Sequence, residues 1–326
     1  MKGKKAILMT ITALLLSALF FVVFSKESSI PVYYSSQPIK TRVLVLDEYV
    51  KTIPKIAGDS LDISTRDALN SLYIDYSKSG VFPSEQLFYQ NLKNCIICGK
   101  KDSCQAGLSD CVAMNSTDMM SILSLVANLS YNHLNVNTDF KIYNLYVSQN
   151  YPFDVDVVID LEYNVYDSYL DITWKRRDNI SKVVSIIGLK DPLTGINTMN
   201  MFEKQVIPSD ICAYNETCWN FVNAQKFFEE QTFTYSPVGT SFLSRYWNST
   251  NPSTCCGIES FVNISDSRNI SFLDHYYFSG RYYCTGIAIP GEKKILSYPS
   301  ISSYFKLDEY TAGRYGMSDQ GIVMCG

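Results

Sequence analysis

Seven apolar residues alternate strictly with polar ones along one stretch of the chain, and this period of two is typical of a half-buried β-strand. They are Phe153, Val155, Val157, Ile159, Leu161, Tyr163 and Val165. Successive side chains of a strand point to opposite faces, so the stretch predicts a long strand with one face in a core and one in water. "YLDITWK" and "KVVSIIGL" after it, and "DFKIYNLYV" before it, predict three more strands. Together they predict an antiparallel meander.

Apolar residues recur at helical spacing before the meander. Within 41–57, Leu46, Tyr49, Val50 and Ile53 share one helix face, and Pro54 is expected to kink or end that helix. A second stripe comprises Leu61, Thr65, Ala68, Leu69, Leu72 and Tyr76, with Gly80 as the stop. Two shorter helices are expected, at 84–94 with Ser84 as the cap, and in "NSTDMMSILSLVANL" with Ser116 or Thr117 as the cap. Helices followed by a meander predict an α+β domain.

The N-terminus predicts export. "MKGKK" is followed by an uncharged run from Ala6 to Phe24, whose helix would approach the ~30 Å thickness of the bilayer hydrocarbon. Lys2, Lys4 and Lys5 should stay inside, which leaves everything after Ser25 outside. We expect a transmembrane anchor over 1–25, in contact with membrane lipid through 6–24. The alternative is that the segment is a signal peptide and is removed. Both readings export the chain.

The distribution of cysteines and glycosylation motifs agrees with an extracytoplasmic location. Asn-x-Ser/Thr acceptors occur at Asn115, Asn128, Asn179, Asn215, Asn248, Asn263 and Asn269. The ten cysteines are Cys95, Cys98, Cys104, Cys111, Cys212, Cys218, Cys255, Cys256, Cys284 and Cys325. The first four are expected to form two disulfides, with a zinc site as the alternative. The next two should close a small loop, while Cys255 and Cys256 are each expected to pair with Cys284 or Cys325.

The pattern divides the chain into four parts. Residues 1–25 form the anchor, 26–60 a linker and stalk helix, 61–190 the α+β domain with its cysteine-rich loop, and 191–326 a disulfide-rich, mostly-β domain. In the last part, "NISFLDHYYFSG" and "RYYCTGIAIP" are expected to be short strands. "DPLTG" is interpreted as a turn at the domain joint.

Charge and residue usage exclude or weaken several classes of function. The net charge is −4, whereas nucleic-acid-binding proteins concentrate lysine and arginine, so no nucleic-acid partner is expected. Only His133 and His275 are present, which limits histidine-based catalysis and zinc sites. A His275–Cys284 dyad has nothing in the sequence to set its geometry. The acidic row Asp154, Asp156, Asp160 and Glu162 is read as a solvated strand face rather than a calcium site, and Arg176 and Arg177 as a hairpin tip.

The order of several stretches resembles that of uncharacterised archaeal membrane-anchored surface proteins with a pilin-like N-terminal hydrophobic segment. These stretches are "STRDALNSLYIDYSKSG", "MNSTDMMSIL", "YPFDVDV", "SIIGLKDPLTGINT" and "GTSFLSRYWNS…CCGIESFVN". The resemblance implies a tethered protein that faces outward, as a filament or adhesion component. It implies no catalytic residues and no cofactor.

The expected function is therefore that of a non-enzymatic cell-surface protein, single-pass and largely extracytoplasmic, with a structural or adhesive role. Its expected partners are lipid, other copies of itself or other surface proteins. Two alternatives remain open. One is an anchored hydrolase of surface glycans, which requires two converging carboxylates in a pocket. The other is an extracytoplasmic ligand-binding receptor.

Overall fold

The computed structural model describes residues 37–101, 104, 110–212, 218–279 and 294–325. The predicted anchor, the strand expected at 281–290, Cys284 and Asn215 lie outside these residues. Within the described residues, no helix is both long enough and apolar enough to cross a membrane.

The chain forms a mixed α+β fold with antiparallel sheets. Its helices are α1 Gln37–Ser79, α2 Glu85–Cys98, α3 Met119–Leu134, α4 Pro192–Asn197, α5 Phe221–Glu230, α6 Asp274–Ser279 and α7 Glu309–Arg314. Its strands are β1 Val136–Tyr151, β2 Asp154–Asp167, β3 Ile172–Ser185, β4 Thr234–Ser241, β5 Gly257–Glu259, β6 Ile295–Ser297, β7 Lys306–Asp308 and β8 Ile322–Cys325. The sheets have the orders β1-β2-β3, β4-β5 and β7-β6-β8. Two 3-10 helices, Leu243–Trp247 and Ser318–Gln320, complete the described elements.

The alternating stretch is confirmed as the central strand β2. Val155, Val157, Ile159, Leu161, Tyr163 and Val165 are all buried, and the residues between them are partly exposed. The meander has three strands rather than four. "ITWKRRDNISKVVS" is one continuous strand, β3, so Arg176 and Arg177 lie within a strand and the predicted hairpin tip between them is wrong. Polar residues in the middle of this strand resemble a turn because an exposed strand needs no apolar residues on its outer face.

The long helix α1 runs through Pro54. The expected end at this residue is wrong. Both predicted apolar stripes are buried except for Tyr49 and Tyr76, which are half-buried, and the stop at Gly80, whose φ is 64°, is confirmed. Proline removes one backbone hydrogen bond from a helix interior, and burial of both stripes offsets that loss. The cap of α2 by Ser84 is confirmed, since its hydroxyl accepts from the Leu87 amide.

Helix α3 begins later than the sequence suggests. Its cap is Asp118, whose carboxylate accepts from the backbone amide and the hydroxyl of Ser121. The expected caps Ser116 and Thr117 are therefore wrong. Three residues that can cap stand in a row here, and Asp is among the strongest of the capping residues.

The described chain divides into two compact units. The first comprises residues 37–53, 124–140 and 163–176, and the second comprises 54–123, 141–162 and the described residues from 177 onward. In the first unit Arg42 donates two hydrogen bonds to the buried carboxylate of Asp167, at 2.7 and 2.8 Å, and one to the carbonyl of Leu134. Buried charges require such partners, so this bidentate ion pair connects α1 to the end of β2 inside the unit.

The predicted mostly-β character of residues 191–326 is wrong. The described part of this region holds four helices and five strands, most of them short. "NISFLDHYYFSG" contains helix α6 where a strand was expected. An aromatic core in the second unit holds these short elements together, and it includes Phe227, Phe261, Phe272, Phe305 and Tyr315. Aromatic runs of this length fit either element, so periodicity could not separate them.

Eight of the ten cysteines lie in pairs at disulfide distance, which is consistent with the predicted disulfide bonds. The pairs are Cys95–Cys111, Cys98–Cys104, Cys212–Cys218 and Cys255–Cys256. The expectation that Cys255 and Cys256 seek Cys284 or Cys325 is wrong in this structure, because these adjacent residues are paired with each other. Among the described residues no group of three or more metal-binding side chains occurs, so neither the zinc alternative at Cys95–Cys111 nor a calcium site on β2 has a ligand set.

Candidate functional site

Helix α4 and the loop that follows it form the candidate site. Asp191 caps the helix by accepting from the amide of Thr194 at 3.0 Å, and Pro192 stands at the first helical position. The predicted turn at a domain joint is therefore wrong for these residues. An Asp-Pro pair suits a turn and a helix start equally well, because both use the aspartate oxygen and the fixed φ of proline.

The loop after α4 comprises residues 198–203 and is here called the Met-Phe loop. Met199, Met201 and Phe202 are 64%, 76% and 46% exposed. Met199 and Asn200 both have positive φ, at 47° and 62°, a conformation that costs a side-chain-bearing residue energy. Asparagine adopts this conformation readily, so the cost falls mainly on Met199.

Three sets of contacts hold the Met-Phe loop. The hydroxyl of Tyr73 in α1 donates to Asn200 Oδ1 at 2.7 Å, and the amide of Asn200 donates to the Gly195 carbonyl at 2.8 Å. The base of the loop is closed by the ion pair Lys190–Glu203 at 2.5 Å. A lysine beside its carboxyl lowers the pKa of Glu203.

Tyr73 reaches the loop by passing directly over Gly195. A Cβ atom at position 195 would lie 2.4 Å from the Tyr73 hydroxyl oxygen, which is closer than van der Waals contact allows. Glycine is therefore required here for the close approach of a side chain. Burial raises the pKa of Tyr73 far above its ordinary value, so this hydroxyl remains a donor throughout the physiological range.

A charge cluster adjoins the site. Its members are Asp191, Arg245 and Asp274, which are buried, and Lys204, which is half-buried. The Arg245 guanidinium is fully buried and contacts Asp191 at 3.1 Å and Asp274 at 2.7 Å, and it also donates to the carbonyl of Ile258 at 2.7 Å. Burial pushes the pKa of Asp274 upward, but Arg245 and His275 outweigh it and hold that pKa well below the usual range. Two cations and two carboxylates give the cluster no net charge.

Lys204 connects the charge cluster to a pocket of about 260 Å³. Its Nζ donates to the carbonyl of Phe261 at 3.0 Å and lies 4.9 Å from the centre of the Phe233 ring. Burial lowers the pKa of Lys204 to about 8, against the attraction of Asp274 and Asp191. The pocket is lined by Thr194, Met201, Phe202, Glu203, Lys204, Gln231, Ser260, Phe261, Val262, Asn263 and Ile264. The Met-Phe loop thus forms part of the pocket wall.

The other residues considered from the sequence lie elsewhere. His133 is exposed, whereas His275 is buried with its Nδ1 3.2 Å from Asp274 Oδ1, and its suggested partner Cys284 lies outside the described residues. Arg177 forms a bidentate ion pair with Asp160 across the sheet, donating two hydrogen bonds to its carboxylate at 2.8 and 2.5 Å. This ion pair lowers the pKa of Asp160 and occupies its carboxylate. The four acidic residues of the row are half-buried rather than fully solvated.

The glycosylation motifs that the structure describes differ in exposure. Asn115, Asn128, Asn179 and Asn263 are exposed, and Asn248 and Asn269 are half-buried. Asn263 lines the pocket, and its Oδ1 accepts from the Tyr304 hydroxyl at 2.6 Å. Glycosylation of these sites stays a prediction.

No family model, curated protein or solved structure matches the chain. The function must therefore be argued from the site itself.

Sequence reasoning missed Lys204, Arg245 and the Met-Phe loop. The available signals were weak: Arg245 is the one charged residue in "SFLSRYWNS", and Met201 and Phe202 stand next to Glu203 and Lys204. A single charge in an apolar run indicates a buried ion pair, but its partners, 54 and 29 residues away, have no local signature.

Proposed function

We propose that the chain is a non-enzymatic cell-surface protein with a structural or adhesive role, and that the Met-Phe loop contacts its protein partner. That partner is another surface protein or a second copy of the chain. The predicted membrane anchor at 6–24 and the resemblance to archaeal surface proteins belong to this proposal. Cysteine pairs at disulfide distance support export, because such bonds persist in oxidising compartments.

The rigid display of Met199, Met201 and Phe202 to water carries the proposal. Soluble proteins seldom hold several neighbouring large apolar side chains exposed on one loop unless a partner covers them. Methionine and aromatic residues are enriched in protein interfaces, and preorganisation reduces the entropy lost on binding. Fully burying one such side chain contributes about 1.5–3 kcal/mol, so three partly exposed ones provide a few kcal/mol.

The pocket next to the loop gives less support to the hydrolase alternative. Among the described residues that line it, Glu203 is the one carboxylate, and it is paired with Lys190. The buried carboxylates Asp191 and Asp274 are occupied by Arg245. Glycoside hydrolysis requires two carboxyl groups on opposite sides of the scissile bond.

Site-specific photo-crosslinking of the full chain tests the proposal in the cells that produce it. Benzoylphenylalanine replaces Phe202 in one variant and Val222 in the control, since Val222 is 71% exposed but lies on α5. We expect crosslinked protein from position 202 and not from 222, and loss of the crosslink when Met199 and Met201 are changed to serine. Equal crosslinking at both positions, or none at either, would contradict the proposal.

A further inference from the structure

We propose that Lys204 is a nucleophile that binds a small aldehyde in the adjoining pocket and holds it covalently as an imine. This inference concerns the pocket and does not depend on partner binding by the Met-Phe loop. It rests on three observations: the partners of the lysine amine, the charge balance around it and the lining of the pocket.

The partners of the Lys204 amine differ from those of Lys190, Lys182 and Lys101 in the same unit. Its one hydrogen-bond acceptor in the described structure is the Phe261 carbonyl, and no described carboxylate lies within 4.0 Å of it. By contrast, Lys190 contacts Glu203, Lys182 contacts Asp59 and Lys101 contacts Asp75. Lys306, like Lys204, donates to carbonyl oxygens and has no described carboxylate within 4.0 Å, but it does not line the pocket, whereas Lys204 does. An amine that is removed from water without a direct counter-ion loses its proton more easily, and the neutral amine is the nucleophilic form.

The balance of charge favours a neutral ligand over an anion. Arg245 and Lys204 carry two positive charges, and Asp191 and Asp274 carry two negative ones. A bound carboxylate would add an uncompensated negative charge to this largely buried cluster, which is costly. A neutral aldehyde adds none.

The reaction conserves atoms and charge. The Lys204 nitrogen lone pair forms a bond to the carbonyl carbon, and the C=O π pair moves to oxygen, which is protonated to give a carbinolamine. The nitrogen lone pair then expels that oxygen as water, so that amine plus aldehyde gives imine plus water. Once protonated, the imine nitrogen retains the positive charge that the cluster requires and can donate to the Phe261 carbonyl, as the ammonium group does.

The lining of the pocket fits a small aldehyde with an apolar body. Met201, Phe202 and Ile264 offer apolar surface. Thr194 and Ser260 donate their hydroxyl protons to Asp191 at 2.6 Å and to Asp274 at 2.9 Å. Their oxygens therefore keep lone pairs that can accept a hydrogen bond from a cationic imine. A volume of about 260 Å³ restricts the ligand to a few carbon atoms or a single ring.

Reductive trapping with benzaldehyde as the probe tests the inference on the full chain. The protein is incubated at pH 7 with benzaldehyde and cyanoborohydride, and peptide mass spectrometry measures the rate of modification at each lysine. With a pKa of about 8, Lys204 has about 300 times the neutral fraction of an ordinary lysine at pH 7. Because a less basic amine is also a weaker nucleophile, we expect Lys204 to react at least about tenfold faster than Lys190.

The comparison of Lys204 with Lys190 within one protein needs no folded variant, and one further readout decides the outcome. The variant K204R should lose the fast site and keep the others. Equal rates at Lys204 and Lys190 would overturn the inference. So would protection of Lys204 by benzoate without any trapped imine, because that result identifies an anion site.

Discussion

The substitution Arg245→Met removes the guanidinium from the centre of the charge cluster and preserves the length of the side chain. Arg245 is fully buried and holds Asp191 at 3.1 Å and Asp274 at 2.7 Å. In the variant both carboxylates stay buried without their principal counter-charge. Removing one partner of a buried ion pair costs about 3–5 kcal/mol, because the desolvated charge that remains is uncompensated. We expect the free energy of unfolding of the second unit to fall by that amount.

The decrease in the free energy of unfolding caused by Arg245→Met should depend on pH. In the native protein Arg245 holds the pKa of Asp274 below its unfolded value, a stabilisation that is present above about pH 4 and lost as pH falls through the lower folded pKa. Without Arg245, burial dominates and the carboxyl group of Asp274 binds a proton more readily in the folded state. The difference in unfolding free energy between native protein and variant is therefore largest near pH 7 and shrinks toward pH 4 and below.

Urea unfolding at pH 7 and pH 4 measures this difference. A loss of about 3–5 kcal/mol corresponds to a decrease in Tm of roughly 6–20 °C for a unit of this size. The control R245K keeps the positive charge but replaces the two guanidinium nitrogens that contact Asp191 and Asp274 with a single amine. It should lower the free energy of unfolding by less than R245M does. Adding Asp274→Asn to Arg245→Met should recover part of the loss. A change below about 1 kcal/mol at pH 7, or one that is the same at both pH values, would refute the reasoning.

Three further substitutions test other parts of the molecule. Gly195→Ala places a Cβ 2.4 Å from the Tyr73 hydroxyl oxygen and should cost about 1–3 kcal/mol in urea unfolding, because one of the two must move. Replacing Cys95 and Cys111 with alanine removes a disulfide between residues that are 16 positions apart. The free energy of unfolding, measured by thermal unfolding, should fall by about 3 kcal/mol. Lys204 has a folded pKa of about 8, below its unfolded value of about 10.4, so the native protein should gain stability between these pH values and Lys204→Met should not.

Each of these has a matched control. Gly313→Ala, in α7, places its Cβ at an ordinary 3.5 Å from Ser318 and should not destabilise, so equal losses at the two glycines would contradict the steric argument. For the cysteines, reductant should lower the Tm of the native protein, and an unchanged Tm would count against the bond. Lys190→Met should keep the alkaline gain, and its loss in that variant would show that the effect is not specific to Lys204.

The sequence predicted those elements whose signals are local. Strand β2 follows from alternation alone, since every second side chain from Val155 to Val165 is buried. Helix α2 follows from Ser84, whose hydroxyl meets the Leu87 amide three residues on. A cap or a period of two involves only near neighbours along the chain, so tertiary structure had little to override.

The candidate site could not be predicted because its contacts are distant in sequence. Tyr73 lies in a buried helix stripe like any other aromatic residue, and nothing local indicates that its hydroxyl bonds Asn200, 127 residues away. Lys204 stands in "MFEKQV", where exposure would be the default for a lysine. Burial lowers the pKa of Lys204 against the attraction of Asp274 and Asp191. The groups that its amine contacts, the Phe261 carbonyl and the Phe233 ring, are brought to it only by folding.

The charge cluster also bears on how fast the protein unfolds. Its bridges span 54 and 29 residues, so long loops must close before Arg245 can meet Asp191 and Asp274. We expect contacts of this kind to form after the folding transition state, and interactions absent from the transition state slow unfolding rather than speed folding. The survival time of the chain in excess protease, which follows the unfolding rate, should therefore shorten in R245M far more than its refolding slows.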